Sequence, residues 1–391
     1  MSAAEQWSDL LPEGFEPGAA QVDDARRILL RPASTIQVRP VHWLWEGRLP
    51  TGSLSLLAGR EGIGKSTAAY TLAGDVTRGR LAGRFYGQPK SVIVAASEDS
   101  WSHTIVPRLM AAGADLDRVF RVEVTVADVL PGELVLPDDI DALVDHVRDV
   151  DASLVLLDPL ISRLDGRLDT HRDAEVRRAL EPVAHLADRT GAVVLGLIHV
   201  NKSGGTDPLS TVMASKAFVA VARSVLYAMT DPDDEHRRLL GLAKNNLGRL
   251  DMPTLRYRID GCVVADTDEG PVWTGRLIWD GETDQSITDA LEAASAPGGK
   301  SAMAEATAWL ADWLEQQGGG AESSAAKAAG KAAGHSRATL ERAAKKLDVA
   351  VDQHGFPRRT YWTLPASPRP STGVGALPVI LGLAAWRASN R

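Results

Sequence analysis

The 391-residue sequence contains a single cysteine, Cys262. One cysteine excludes an intramolecular disulfide framework and a cysteine zinc cluster, and it is typical of a reducing compartment. Residues 1–20 lack the basic and then apolar pattern of a signal peptide. The apolar stretch at residues 373–386 is shorter than the roughly 20 residues that a bilayer span needs. We therefore expect a cytoplasmic protein without membrane contact.

Positive charge is also in deficit, since the formal net charge is −8. This balance excludes a uniformly basic coat for nucleic acid, although local basic patches can still bind phosphates. The 44% hydrophobic and 24% charged residues are typical of a folded globular protein. Domains usually have about 100–200 residues, so the length predicts one large domain and a smaller module.

Short apolar runs recur between residues 53 and 282 and alternate with helical or loop segments. Such runs predict an α/β fold with a mostly parallel sheet that is covered on both faces. The clearest runs are Leu54–Ala58, Val92–Ala96, Leu154–Leu157 and Val193–Ile198. Residues 174–190 have helical spacing, and Gly191 is expected to end that helix.

The composition predicts five segments along the chain. They are a lead-in at residues 1–40, the α/β core at 41–293, a small-residue linker at 294–303, a helical module at 304–365 and a disordered tail at 366–391.

One segment matches the phosphate-binding pattern G-x4-G-K-[ST], and it stands between an apolar strand and a helical run, as the pattern requires. Backbone amides of this loop can surround ATP phosphates, the lysine adds a positive charge, and the hydroxyl of Ser66 can bind Mg2+. The predicted ATP-binding residues are Gly59, Arg60, Glu61, Gly62, Ile63, Gly64, Lys65, Ser66 and Thr67.

Three further polar residues stand at predicted strand ends. Asp158 ends an apolar strand and is predicted to complete the Mg2+ site with Ser66. Pro159 follows it, so the residue that orients the attacking water has to come from elsewhere, and Glu98 is the candidate. Glu98 could instead be a solvated acid or a helix cap. His199 is predicted to sense the γ-phosphate, with a purely structural role as the alternative.

These motifs together resemble the RecA-like ATPases of the RepA-type hexameric helicases, which are related to the DnaB-type replicative helicases. The resemblance covers about residues 41–260. Residues 43–50 resemble the family's segment before the P-loop, 98–100 its catalytic glutamate motif, Asp158 its Walker B aspartate, and 199–202 its sensor segment. It implies catalytic roles for Lys65, Glu98, Asp158 and His199, and a closed ring with ATP between subunits.

The resemblance also implies a basic residue supplied by the neighbouring subunit. Residues 244–249 resemble the segment that carries it, but Asn246 stands where an arginine is expected. Lys244, Arg249 and Arg223 therefore all remain candidates. The glycine-containing segment 203–215 resembles the DNA-facing loop of such rings, with Lys202 and Lys216 flanking it. An ordinary mobile loop is the alternative.

Three helices and a two-stranded wing are predicted in the C-terminal module, which resembles a winged helix-turn-helix. Ser336 is expected to cap the third helix, whose basic side chains are predicted to contact duplex DNA. These side chains are Arg337, Arg342, Lys345 and Lys346. The alternative is a docking module with a solvated charged face.

The function predicted from the sequence is an ATP- and Mg2+-dependent motor, a hexameric replicative helicase on single-stranded DNA. Two alternatives remain open: an ATP-switched DNA-binding regulator or loader, and a recombination or repair ATPase that forms filaments.

Overall fold

The computed structural model describes residues 29–126, 130–170, 172–201, 206–213, 216–295, 299–354 and 359–365. The chain divides into two units, Met1–Val41 and His42–Arg391. In the first unit, residues 29–41 are exposed and contain a 3-10 turn at Ala33–Thr35. Most of the predicted lead-in, at 1–28, and the predicted tail at 366–391 lie outside the described residues.

Strands and α-helices of the second unit are numbered in chain order. The strands are β1 (Trp43–Trp45), β2 (Leu49–Pro50), β3 (Ser53–Gly59), β4 (Ser91–Ala96), β5 (Val119–Arg121), β6 (Val124–Val126), β7 (Leu130–Gly132), β8 (Ala152–Asp158), β9 (Val193–His199), β10 (Ser224–Asp231), β11 (Asp234–Asn245), β12 (Thr254–Thr267), β13 (Gly270–Thr283), β14 (Gly320–Glu322), β15 (Ala350–His354) and β16 (Arg359–Thr363). The helices are α1 (Lys65–Thr77), α2 (Val106–Ala111), α3 (Ile140–Asp149), α4 (Asp173–Thr190), α5 (Lys216–Val221), α6 (Ile287–Ser295), α7 (Gly299–Gln316), α8 (Ser323–Ala332) and α9 (Arg337–Lys346).

Nine strands of the described residues form the central sheet in the order β13-β12-β11-β10-β3-β9-β8-β4-β5. Neighbouring strands from β10 to β5 in this order are parallel. The strands from β10 to β13 pair antiparallel. This mostly parallel α/β architecture confirms the predicted fold class and fits a RecA-like P-loop core. It also places the carboxyl ends of β3, β4, β8 and β9 at one edge of the sheet.

Both faces of the sheet are buried, which explains the continuous apolar runs in the sequence. Along β8, Val155 and Leu157 belong to the core on one face, while Leu154 and Leu156 belong to the core on the other. Helix α4 covers the first face and ends at Gly191, which adopts the left-handed conformation with φ 73°. The predicted helix end is therefore confirmed.

The second half of the core domain contains a long β-hairpin formed by β12 and β13. It continues the sheet beyond β11. Tyr257 of β12 is buried, and its hydroxyl donates a hydrogen bond of 3.0 Å to the carbonyl oxygen of Ile63. The hairpin is therefore fastened to the loop that precedes α1.

The C-terminal part has the predicted three helices, α7 to α9, around a small apolar core that includes Leu310, Leu314 and Ala343. Ser336 caps α9 as predicted, because its Oγ accepts a hydrogen bond from the backbone N–H of Thr339. The predicted wing strands are present as β15 and β16, and β14 adds a third strand to them.

The predicted linker at 294–303 needs a correction, because α6 continues to Ser295 and α7 already begins at Gly299. Small residues such as alanine favour a helix as readily as a linker, so the composition alone misplaced these bounds. The described helices include none that is long and apolar enough to cross a membrane.

Candidate nucleotide site

The P-loop connects β3 to α1 at the carboxyl edge of the sheet. Gly62 and Gly64 have φ angles of 73° and 91°, a left-handed conformation that glycine adopts without strain. The turn brings the first amides of α1 to the loop, where the positive end of the helix dipole favours phosphate. Helix α1 begins at Lys65, as the motif predicts.

The Lys65 ammonium makes three contacts inside this loop. It donates to the carbonyl oxygens of Gly59 and Arg60, both at 3.0 Å, and its Nζ lies 3.2 Å from Nδ1 of His199. An ammonium has three donors, so all three are used and Nδ1 is the acceptor. Burial lowers the pKa of Lys65, while Asp158, Glu61 and Glu98 act in the opposite direction.

Asp158 ends β8 beside the first turn of α1. Its carboxylate accepts hydrogen bonds from Ser66 and from the hydroxyl of Tyr70, the latter at 3.3 Å. Burial raises the pKa of Asp158, and these two hydrogen bonds partly counteract it. A hydroxyl and one carboxylate in contact fit Mg2+, which takes one or two carboxylates together with substrate phosphates. Ser66 and Asp158 would hold this ion.

Glu98 lies two residues after β4 and is exposed. Asp99 beside it is paired with Arg108 of α2 at 2.7 Å. Ser100 caps the π-helical turn that follows, since its Oγ accepts from the backbone N–H of His103. The cap and the ion pair are thus made by the neighbours of Glu98, which leaves the Glu98 carboxylate at the cleft.

His199 ends β9, and the backbone after it is held in place. The N–H of Asn201 donates to Thr211 at 2.7 Å, and the N–H of Met213 donates to His199 at 3.0 Å. The residue that contacts Lys65 is therefore attached directly to the base of the predicted DNA-facing segment. Lys202 and residues 203–205 of that segment lie outside the described residues.

A cleft of about 800 Å³ runs along this edge of the sheet, within the range of small-ligand sites. It brings together all four predicted catalytic residues. Its lining includes Lys65, Ser66, Thr67, Glu98, Asp158 and His199.

Sequence reasoning missed three residues of the cleft lining and one buried residue that contacts Asp158. Arg238 of β11 lines it beside the P-loop, and Ile259 and Trp273 of the hairpin form a wall. Tyr70 is the buried partner of Asp158. Tyr70 lies one helical turn beyond Ser66, a spacing that could have pointed to it. The other three come from segments far along the chain and give no local signal.

The candidates for a residue supplied in trans lie at the edge of the sheet opposite the P-loop. Strand β10 runs parallel to β3, with Ser224 beside Ser55 and Ala228 beside Gly59, so the start of β10 is far from the P-loop. Lys244 donates to the carbonyl oxygens of Val219 and Ala222 at the end of α5.

Arg249 forms an exposed ion pair with Asp251 at 2.7 Å. Arg223 immediately precedes β10 and is exposed, and its guanidinium has no hydrogen bond or ion pair within the described part of the chain. Of the three candidates, Arg223 has the side chain that is available.

The predicted DNA contacts differ in their surroundings. Lys216 is exposed at the start of α5, and Lys345 and Lys346 are exposed in the last turn of α9. Arg337 is also exposed and is paired with Glu341. Arg342 is directed elsewhere: its guanidinium pairs with Asp233, 3.2 Å away between β10 and β11. Helical spacing alone could not reveal this distant partner.

Residues 28–205 match the model of a protein family described as an AAA domain. The match includes the P-loop, Glu98, Asp158 and His199, and it ends before β10. No curated protein matches the chain. The similarity supports an AAA/P-loop ATPase domain, and with it nucleotide binding.

Proposed function

We propose that this protein is an ATP- and Mg2+-dependent motor that assembles into a ring, a hexamer by resemblance, and moves along single-stranded DNA as a replicative helicase. One observation carries the proposal. The described structure gathers Lys65, Asp158, Glu98 and His199 at one edge of the sheet and leaves an unpaired Arg223 at the other. A head-to-tail ring would bring these two edges together.

Within one subunit, the chain supplies most of the phosphate chemistry. The amides of the P-loop and Lys65 bind the phosphates, and Ser66 and Asp158 hold Mg2+, which neutralises charge on the phosphate oxygens when bound. Glu98, exposed in the cleft, orients the attacking water. The neighbour's Arg223 stabilises the charge that develops on the transferred phosphoryl group.

The contact between Lys65 and His199 connects hydrolysis to DNA. Lys65 has three donors and all are used inside the loop. Lys65 must therefore give up a present contact to bind a phosphate oxygen. If it releases His199, the histidine and the segment attached to it are free to move. Lys202 and Lys216, on either side of that segment, then follow the phosphates of single-stranded DNA.

The C-terminal elements favour a second candidate, an ATP-switched DNA-binding regulator. Helices α7 to α9 and the three-stranded sheet have the order of a winged helix-turn-helix, and Lys345 and Lys346 are exposed near the end of α9. In a motor, this module helps to load the ring onto duplex DNA. In a regulator, it is the main functional part and hydrolysis only resets the bound state.

ATP hydrolysis by the full-length protein, with and without single-stranded DNA, tests the proposal. Strong stimulation by DNA is expected, and Lys65→Ala and Glu98→Gln should both abolish it. Glu181→Gln, on the exposed side of α4, is the matched control for the loss of one carboxylate. Slow hydrolysis that ignores single strands, together with tight duplex binding, would favour the regulator and contradict the motor.

A further inference from the structure

The hairpin of β12 and β13 lies outside the residues that match the family model, yet it forms a wall of the nucleotide cleft. Tyr257 fastens it to the P-loop through Ile63. Ile259, two residues further along β12, lies against Gly64, the residue before α1. The hairpin is therefore held at the position where a nucleotide leaves the phosphate loop.

One face of this hairpin can be followed from residue to residue. Cross-strand pairs on that face are Ile259 with Leu277, Gly261 with Gly275, and Val263 with Trp273. Because side chains alternate along a strand, these residues point to the same side. Leu277 is buried in the core that includes α1, so this side faces α1 and the cleft.

The glycine pair leaves a recess in this face. A Cβ at Gly261 would meet no atom within 4 Å, so the space above it is open. A Cβ at Gly275 would lie 2.7 Å from Cγ2 of Ile259, so Ile259 leans over that side. The recess is bounded by aliphatic Ile259 at one end and by the indole of Trp273 at the other.

Trp273 is 66% exposed, although it is a large aromatic residue on the wall of a polar cleft. It has no ring contact among the described aromatic side chains, in contrast to Trp279 of the same strand, which packs against Tyr257 and Trp45. Packing of the fold does not explain an indole in this position. A flat apolar ligand stacked beside the indole would explain it.

We propose that this recess binds the base of the nucleotide, with the base stacked on Trp273 above the glycine pair and its phosphates on Lys65. This inference rests on the proposed binding of ATP to the P-loop, and it assigns the nucleoside end of that ligand. Stacking of a base on an aromatic side chain contributes enough affinity that removing the ring weakens binding by about tenfold.

Titration calorimetry of the full-length protein with ADP and with inorganic tripolyphosphate separates the two ends of the ligand. Trp273→Leu is expected to weaken ADP binding about tenfold and to leave tripolyphosphate binding unchanged. Trp273→Phe keeps a stacking ring and should retain most of the affinity. Tyr86→Leu, which removes an exposed aromatic residue outside the cleft lining, is the matched control.

Filling the recess provides an independent variant. Gly261→Leu adds a side chain whose Cβ would meet no atom within 4 Å, so the variant is expected to keep the fold and to occupy the place of the base. It should weaken ADP binding and spare tripolyphosphate, as Trp273→Leu does.

Equal ADP affinity in wild type and Trp273→Leu would overturn the proposal. Parallel losses for ADP and tripolyphosphate would also overturn it, because the hairpin would then shape the phosphate loop instead of holding a base. Lys65→Ala distinguishes this failure from failure of the proposed function. If Lys65→Ala abolishes tripolyphosphate binding while Trp273→Leu leaves ADP binding unchanged, the proposed ATP site is supported and the proposed base site is refuted.

Discussion

Replacing Arg223 by alanine is expected to abolish ATP hydrolysis while leaving the fold and nucleotide binding intact. The N–H of Arg223 bonds to Leu54, at the start of β3, whereas the P-loop begins at Gly59, at the end of that strand. At about 3.3 Å per residue, the two positions are separated by roughly 16 Å along the sheet. At this distance the Arg223 side chain is too far from the phosphate site of its own chain to reach it, so the proposed role requires the site of a neighbouring subunit.

The expected loss is large because an arginine supplied in trans contributes on the order of 10³–10⁵-fold to the turnover of such enzymes. The expected loss of stability is small, since substitutions at exposed and unpaired positions usually change the free energy of unfolding by less than about 0.5 kcal/mol. ADP affinity and the melting temperature should therefore match those of wild type, and the hydrolysis rate should not.

Mixing two inactive variants tests the trans geometry directly. Lys65→Ala lacks the phosphate lysine but keeps Arg223, and Arg223→Ala has the reverse defect. In a randomly mixed ring with equal amounts of both, one site in four combines an intact P-loop with an intact arginine. The mixture should therefore recover about a quarter of the wild-type rate.

A matched control uses Arg223→Ala mixed with the double variant Lys65→Ala/Arg223→Ala. No site in that mixture is complete, so it should stay inactive. An Arg223→Ala protein that hydrolyses ATP like wild type, or a first mixture that stays as inactive as its components, would refute the assignment of Arg223.

Three further substitutions have defined outcomes. Asp158→Asn should abolish Mg2+-dependent hydrolysis but raise the melting temperature at pH 7. Burial raises the pKa of Asp158 in the folded state above the ordinary 3.8. The folded state therefore loses stability as the pH rises from 3.8 through the raised pKa. The loss is about 1.4 kcal/mol for each pH unit by which the two pKa values differ. The gain should shrink as pH falls toward 3.8 in thermal melts. Lys244→Met removes donors from the end of α5 and should lower stability by about 1–2 kcal/mol without changing hydrolysis per folded molecule. Gly64→Ala forces alanine to a φ of 91°, which costs about 1–2 kcal/mol, and calorimetry should show that ADP and tripolyphosphate binding are both lost.

The positions of the polar residues at the candidate phosphate site could be predicted, because their signals are local. A buried parallel strand must be apolar on both faces, and a polar residue at its carboxyl end faces the ligand edge. Asp158 and His199 follow this rule at the ends of β8 and β9, and Glu98 follows it just after β4. The cap at Ser336 and the stop at Gly191 were predictable for the same reason, since each depends on a few neighbouring residues.

The remaining walls of the cleft could not be predicted from local signals, because they depend on contacts between distant segments. Tyr257 and Ile63 are 194 residues apart in sequence, yet their hydrogen bond holds the hairpin at the P-loop. Lys244 resembles a trans-acting residue in sequence, but its ammonium is directed to carbonyl groups of α5. The partner of Arg342 is likewise 109 residues away.

The two ends of the cleft are therefore formed by different parts of the chain. Apart from the Arg223 proposed to come from a neighbour, the candidate phosphate residues lie within 28–205, whereas Arg238, Ile259 and Trp273 of the cleft lining follow the matched segment. Changes in the hairpin can then alter the affinity for nucleotide without moving Glu98 or Asp158, which belong to strand ends in the centre of the sheet. The connection at Tyr257 limits this independence, because its hydroxyl bonds to the P-loop backbone itself. Motion of the hairpin at this point would reach Gly64 and Lys65 directly, so release of the base and loosening of the phosphates are expected to be coupled.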